Sequence, residues 1–157
     1  MNIIADFMGQ DHERLDQLFS AFRSKKGTDV AIAIHLFSEF KRGLQRHIIW
    51  EEEFLFPRFE SRTGVSDGGP IPVMRLEHRR IKGLLDKIHD LVANGKTDTD
   101  DLEGELANAL LVHNTKEESV LYPAIDQCLC EQEATELIEG MNTLPADRYV
   151  HCCTDAR

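Results

Sequence analysis

Apolar side chains recur at intervals of three and four residues along four long segments of the chain, and turn-forming residues separate the segments. That spacing places side chains on one face of an α-helix. The four stripes contain Met8, His12, Leu15, Phe19 and Phe22; Phe37, Phe40, Leu44, His47, Glu51 and Phe54; Met74, His78, Ile81, Leu85, Ile88 and Val92; and Leu106, Leu110, His113, Glu117 and Leu121. No segment shows the alternation typical of a strand. The pattern predicts an all-α protein, an up-and-down four-helix bundle.

Capping and breaking residues give the predicted boundaries of these helices. The predicted bounds are Ile4 to Ser24, Thr28 or Asp29 to Phe59, and Pro70 to Gly95, followed by a fourth helix that includes Leu121. An amphipathic segment from about Glu131 to Met141 predicts a short extra C-terminal helix, and no clear pattern follows Pro145. We therefore predict one bundle domain over residues 1–145 and a tail over residues 146–157.

Composition narrows the class of protein. The 157 residues are 41% hydrophobic and 29% charged, which is typical of one soluble globular domain. A net charge of −10 argues against nucleic acid or an anionic membrane as the main partner. No apolar run approaches the roughly eighteen residues of a membrane span, and the N-terminus lacks a signal-peptide pattern. We expect a cytoplasmic protein.

The cysteines agree with a reducing compartment. All four lie in the last fifth of the chain, where they cannot cross-link the bundle: Cys128, Cys130, Cys152 and Cys153. Their spacing is not the Cys-x-x-Cys of a redox or zinc site. Free thiols are the expected state.

The chain repeats itself at an offset of 66 residues, and His, Glu and Pro residues are kept in both halves of the repeat. The matched pairs are His12 and His78, His47 and His113, Glu51 and Glu117, Glu52 and Glu118, and Pro57 and Pro123. Each half contains a His, then His-x-x-x-Glu, then a Pro. Polar pairs that persist while the surrounding sequence diverges predict a two-fold site with two equivalent halves.

Six of these residues lie on apolar stripes, so they point into the bundle: His12, His47, Glu51, His78, His113 and Glu117. Residues four apart on a helix point the same way, which pairs each Glu with the His before it. Buried imidazoles and carboxylates cost several kcal/mol each when they are unpaired. Two arrangements compensate that cost: a pair of metal ions, or a closed set of salt bridges between protonated His and carboxylates.

The metal interpretation accounts for more of the pattern. Four imidazoles and two bridging carboxylates would give each of two ions two nitrogens and two oxygens. Such a set suits iron or manganese, with positions left for an oxo or hydroxo bridge and an exogenous ligand. A structural zinc site is less natural because it favours closed tetrahedral ligation, often by Cys.

The other carboxylates near the predicted ligands have weaker assignments. Glu52, Glu53 and Glu118 lie off the stripes and are expected in solvent, although Glu52 and Glu118 are also candidates to contact the ligands. Asp11 and Glu77, each preceding a predicted ligand, have the same two interpretations. Pro57 and Pro123 are expected to kink or end their helices just below the site.

With its single His and His-x-x-x-Glu in each half, the chain resembles the hemerythrin-like (HHE cation-binding) family over about residues 4 to 125. The resemblance implies a four-helix bundle with a carboxylate-bridged non-haem di-iron centre. The implied terminal ligands are His12, His47, His78 and His113, and the implied bridges are Glu51 and Glu117. One departure stands out. Oxygen-carrying hemerythrins have a further His one turn before the third-helix ligand, where this chain has Met74.

The departure at Met74 disfavours reversible oxygen carriage. Three functional classes follow: a module that binds or senses oxygen, nitric oxide, peroxide or iron and redox state; a redox enzyme of the peroxide-consuming or iron–sulfur-cluster-repair type; and a metal-storage or structural protein. We rank binding or sensing ahead of catalysis and assign no catalytic residue. A redox partner protein and a monomer or weak homodimer complete the expectation.

Overall fold

The computed structural model describes residues 1–65 and 67–150. Within these ranges the elements are α1 (Ile3–Lys25), α2 (Val30–Trp50), a first π turn (Glu51–Leu55), α3 (Phe56–Thr63), α4 (Pro70–Ala93), α5 (Asp100–Lys116), a second π turn (Glu117–Leu121), α6 (Tyr122–Cys128), α7 (Glu131–Asn142) and a 3-10 turn (Ala146–Arg148). The described ranges contain helices and turns but no strand, which confirms the all-α class.

Four long helical units form the bundle. α1 and α4 are single helices, whereas α2 with α3 and α5 with α6 are each joined through a π turn. α1 packs against α2 and α6, and α4 packs against α2 and α5. α7 is the extra C-terminal helix that the sequence predicted, and it packs against α1 and the first π turn. The predicted bundle is confirmed.

Local sequence fixes the ends of these helices. The carboxylate of Asp29 accepts a hydrogen bond from the backbone N–H of Ile32 at 3.1 Å, as expected of an N-cap. Gly64 ends α3 with φ of 71°, a left-handed conformation that favours glycine. The first turn of α1 is capped by a distant residue, because Asp126 accepts from the N–H groups of Ile4 and Ala5 at 2.9 and 3.0 Å.

Periodicity predicted that the second and fourth bundle helices are regular α-helices throughout. The structure differs, because each is interrupted by a π turn. The N–H of Phe56 bonds to the carbonyl of Glu51, and the N–H of Tyr122 bonds to the carbonyl of Glu117, both across five residues. A proline follows each donor by one residue and would clash with the carbonyl four residues before it in an α-helix. The wider π turn accommodates the proline, and the chain then resumes as an α-helix.

In residues 1–65 and 67–150 the apolar core consists of two clusters. The first packs around Met8, Leu55, Met74 and Leu121, and the second around Leu15, Ile48, Ile81 and Leu110. Each bundle helix contributes to both clusters, and its predicted site residues lie where the two contributions meet along the chain. The site is therefore a polar layer across the middle of an apolar bundle.

The first part of the predicted tail lies against the bundle. The side-chain amide of Gln45 donates to the carbonyl of Tyr149 at 2.8 Å, and Arg148 pairs with Glu53 at 2.5 Å. The predicted boundary at residue 146 stays a prediction. Residues 151–157, with Cys152 and Cys153, lie outside the described residues.

Candidate metal centre

All six predicted site residues meet in the polar layer between the two apolar clusters. They form two overlapping groups of potential ligands, one of His12, His47, Glu51 and Glu117 and one of Glu51, His78, His113 and Glu117. Within each group the ligand atoms lie within 4.8 Å of one another. Every member is buried, and the two groups share both glutamates.

Glu51 faces both histidine pairs with separate oxygens. Its Oε1 lies 2.9 Å from Nε2 of His47, and its Oε2 lies 2.9 Å from Nε2 of His78. Two ligands at right angles around an ion, each at about 2.1 Å, are about 3.0 Å apart. The contacts of Glu51 therefore have the spacing of a carboxylate that joins two metal positions.

Glu117 also reaches both pairs, but through one oxygen. Its Oε1 lies 3.3 Å from Nε2 of His12 and 3.3 Å from Nε2 of His113. The side chain is fully buried, and neither of its oxygens has a hydrogen-bond partner in the described part of the chain. A buried carboxylate whose oxygens accept no hydrogen bond is costly, so this environment fits a bound cation.

A second carboxylate holds each histidine from behind. The Nδ1 contacts are 2.7 Å from His12 to Glu118, 2.8 Å from His47 to Asp11, 3.1 Å from His78 to Glu52, and 2.9 Å from His113 to Glu77. The four carboxylates obey the 66-residue repeat, with Asp11 matching Glu77 and Glu52 matching Glu118. Such contacts place a proton on Nδ1 and leave Nε2 as the ligand atom.

With the proton on Nδ1 of each histidine, the Nε2 atoms and the glutamate oxygens at the centre are all hydrogen-bond acceptors. Nε2 of His78 lies 3.1 Å from Nε2 of His113, although both rings already use Nδ1 to contact a carboxylate. Two neutral imidazoles of that tautomer would face each other with lone pairs. Either a metal ion or additional protons must lie between such groups, and nitrogen and oxygen donors in this number fit two ions.

Protons and metal would compete for the same nitrogens. Burial acts to lower the pKa of His47, but Glu51 and Asp11 beside it raise that pKa to about 10. Burial likewise acts against charge on His78, whereas Glu51 and Glu52 raise its pKa to about 9. Without metal, both rings are therefore imidazolium ions at neutral pH and compensate the buried glutamates.

Sequence reasoning missed one member of the site. The phenol of Tyr122 is fully buried and donates to Oε1 of Glu51 at 2.5 Å. Its oxygen also lies 3.2 Å from Nε2 of His47 and 3.4 Å from Nε2 of His12. Burial, together with the charges of Glu117 and Glu51, raises the pKa of Tyr122 well above its ordinary value.

The geometry agrees with what sequence comparison finds. The hemerythrin HHE cation binding domain family model matches residues 3–125, which is most of the chain. This protein belongs to that family. The ligands inferred from the duplicated pattern all lie inside the matched range.

Two curated relatives extend the comparison. An uncharacterized hemerythrin-like protein of Schizosaccharomyces pombe is 28% identical over 137 residues, which cover 87% of this chain and 66% of the relative. The iron–sulfur cluster repair protein YtfE of Edwardsiella ictaluri is 35% identical over 92 residues, or 53% of this chain and 42% of the relative. The chain thus spans less than two thirds of each. No solved structure matches.

Other features that the sequence analysis of this hemerythrin-family chain singled out are Met74 and the cysteines. Met74, the position of the departure noted above, is buried, and its counterpart in the repeat is Met8, which is buried as well. Cys128 is half-buried and Cys130 is exposed, both as free thiols. No helix in the described ranges is both long enough and apolar enough to cross a membrane.

Proposed function

We propose that this protein holds two iron ions and binds a small oxidant or gas at them, with oxygen, nitric oxide and peroxide as the candidate ligands. The observation that carries the proposal is the pair of two-nitrogen, two-oxygen groups that share two buried glutamates. One ion would be held by His12 and His47 and the other by His78 and His113, with Glu51 and Glu117 common to both. Iron in this setting supplies one-electron redox chemistry and open positions for a small ligand.

The donor set supports iron or manganese over structural zinc. All six donors are imidazole or carboxylate, and neither group includes a Cys from the part of the chain that the structure describes. This choice argues against the thiolate-rich closed site typical of structural zinc, whereas manganese shares the preference for nitrogen and oxygen. The name of the YtfE relative, which refers to iron–sulfur clusters, is consistent with iron chemistry in related proteins.

The protein's own contribution is to hold the donors and exclude water. Four carboxylates behind the histidines fix the orientation of each ring, which limits the rearrangement needed when an ion binds. The apolar clusters on both sides keep bulk water from the glutamates, which are fully buried. Access for a ligand is thereby restricted to small molecules.

A redox enzyme is the second candidate, because the relative with 35% identity is named as an iron–sulfur cluster repair protein. This chain would then use the same centre to turn over peroxide or to repair damaged clusters. The two candidates differ in turnover. Iron-loaded protein that consumes many equivalents of peroxide, or restores a damaged cluster enzyme, and loses this activity in Glu51→Ala would favour the enzyme.

The binding proposal is tested by metal content and optical spectrum. Protein purified from iron-replete cells should contain about two iron ions per chain, one for each ligand group. Azide added to the oxidised form, or nitric oxide added to the reduced form, should change the charge-transfer spectrum. One zinc per chain, or an iron spectrum that no small ligand alters, would contradict the proposal.

The cellular setting is part of the same proposal. We place the protein in the cytoplasm, supported by the sequence position of its cysteines and by the free thiols of Cys128 and Cys130. A net charge of −10 disfavours nucleic acid and anionic membranes as partners. A redox protein is the expected partner of a centre that changes oxidation state, and the chain would act as a monomer or weak homodimer.

A further inference from the structure

The polar residues in the two halves of the centre match through the repeat, except at one position. Ligands, outer carboxylates, buried methionines and prolines all have a chemically equivalent counterpart 66 residues away. The exception is Tyr122, whose counterpart is Phe56. Both residues directly follow a π turn, so they occupy equivalent places in the backbone. The difference between them is one hydroxyl group at the centre.

That hydroxyl lies among the donors of one ion. Its polar neighbours include Glu51 at 2.5 Å, His47 at 3.2 Å and His12 at 3.4 Å. All three belong to the same ligand group. The distances to the two histidines are close to the roughly 3.0 Å that separates two ligands of one ion, so the phenol oxygen is placed as a further ligand. The shorter contact with Glu51 is a hydrogen bond, which ligation of the phenol oxygen would replace.

Among the described residues, the other half has no such donor. The ring of Phe56 packs against the ring of His78, with centroids 5.8 Å apart and planes inclined by 11°. Phe56 is fully buried and offers only carbon atoms. An ion held by His78 and His113 would therefore have one protein ligand fewer than its neighbour.

We infer that Tyr122 is an additional ligand of the ion held by His12 and His47, so that the two ions are unequal and the small ligand binds at the other ion, beside Phe56. The inference rests on the proposed di-iron centre. Tyrosine oxygen is an established ligand of iron in proteins. When the oxygen–iron bond forms, the phenolic O–H bond breaks and its proton passes to solvent. The charge of the ion favours this loss despite burial.

The opposing possibility is that Tyr122 only donates a hydrogen bond to Glu51. A phenolate bound to iron(III) has a visible charge-transfer band, and laser excitation in that band enhances phenolate ring vibrations. The chain has two tyrosines, Tyr122 and Tyr149. Tyr149 lies outside the centre, next to the guanidinium of Arg46. Tyr149→Phe is therefore the matched control for Tyr122→Phe.

We expect iron(III)-loaded wild type and Tyr149→Phe to show the band and the ring vibrations, and Tyr122→Phe to lose both while retaining two iron ions. Tyr149→Phe made with ring-deuterated tyrosine should shift those vibrations, which assigns them to Tyr122 even if Tyr122→Phe folds poorly. Two bound iron ions without a phenolate signal in the wild type, or a signal that survives in Tyr122→Phe, would overturn the inference alone. Failure to bind iron would instead overturn the proposed function.

Discussion

Oε1 of Glu77 lies 2.9 Å from Nδ1 of His113 and holds the imidazole with its other nitrogen toward the centre. The same carboxylate pairs with Lys116 at 2.5 Å, so it is itself fixed in place. Burial opposes its charge only in part, and the contacts with Lys116 and His113 keep the pKa of Glu77 below its ordinary value. A carboxylate in this position orients a ligand and increases its basicity.

Replacing Glu77 should weaken metal binding without removing a ligand. We expect Glu77→Gln to lower the affinity for the ion at His78 and His113 by about 10- to 100-fold, the usual effect of losing such a contact. Competition with a chromophoric chelator measures this affinity. Glu105 lies in α5, which packs against the α4 helix of Glu77, and it is exposed to solvent. Glu105→Gln is therefore the matched control and should bind metal like wild type. Equal affinities for both variants would contradict the assigned role.

Glu51 should be required for both ions because it contacts both histidine pairs. We expect Glu51→Gln to bind far fewer than two iron ions per chain, since each ion loses a charged oxygen ligand at once. Elemental analysis after loading and gel filtration gives the ratio. The nearby Glu53 is exposed and pairs with Arg148, so Glu53→Gln should retain full loading. Loss of a single ion in Glu51→Gln would show that Glu51 serves one position only.

The metal-free protein should lose stability as the pH rises. The folded state raises the pKa of His47 to about 10 and that of His78 to about 9, from an ordinary value near 6.5. It therefore keeps protons that the unfolded chain releases. This stabilisation is complete below about pH 6.5 and disappears as the pH passes through 9 to 10.

Urea unfolding of chelator-treated protein between about pH 6 and pH 10 tests this dependence. We expect the midpoint to fall across the range and to fall less steeply in His47→Gln, which lacks one of the two groups. Iron-loaded protein should also show a weaker dependence, because the ions take the place of the protons. A midpoint in the metal-free wild type that rises or stays constant would refute the expectation.

The sequence predicted the fold and the composition of the centre because both depend on helical periodicity. His12 and His78 lie on apolar stripes, and the His-x-x-x-Glu spacing places His47 and Glu51 on one face. These patterns are local, so a single helix is enough to reveal them. Their assembly into shared groups then follows from packing four such faces together.

Contacts between different helices were harder to predict from the sequence. Glu52 lies off the stripe of its own helix, yet it contacts His78 of another helix at 3.1 Å. Periodicity along one helix does not contain that information. The assignment of Glu52 and Glu118 mainly to solvent was therefore incomplete, since both also contact a histidine of the centre.

Tyr122 was missed because of the π turn before it. In an α-helix, a residue five positions after Glu117 points about 140° away from it. A turn closed by hydrogen bonds across five residues instead brings positions i and i+5 to one side. The proline at position 123 is the sequence signal for this turn, but we expected a kink or an end of the helix there.

The cap on α1 should contribute substantially to stability. Asp126 is buried and accepts from the N–H groups of Ile4 and Ala5, so its removal leaves two donors without a partner. We expect Asp126→Ala to lower the free energy of unfolding by about 2 to 4 kcal/mol. Asp29→Ala removes one exposed cap contact and should cost about 1 kcal/mol. Urea midpoints that place Asp29→Ala below Asp126→Ala would contradict this ranking.

The polar layer divides the apolar interior into two parts. Ions bound in this layer would link all four bundle helices, so the two ends of the bundle would unfold cooperatively. Without the ions, the protein would keep two separate apolar clusters with only weak coupling between them. Iron supply would then set how far the two ends of the molecule depend on each other.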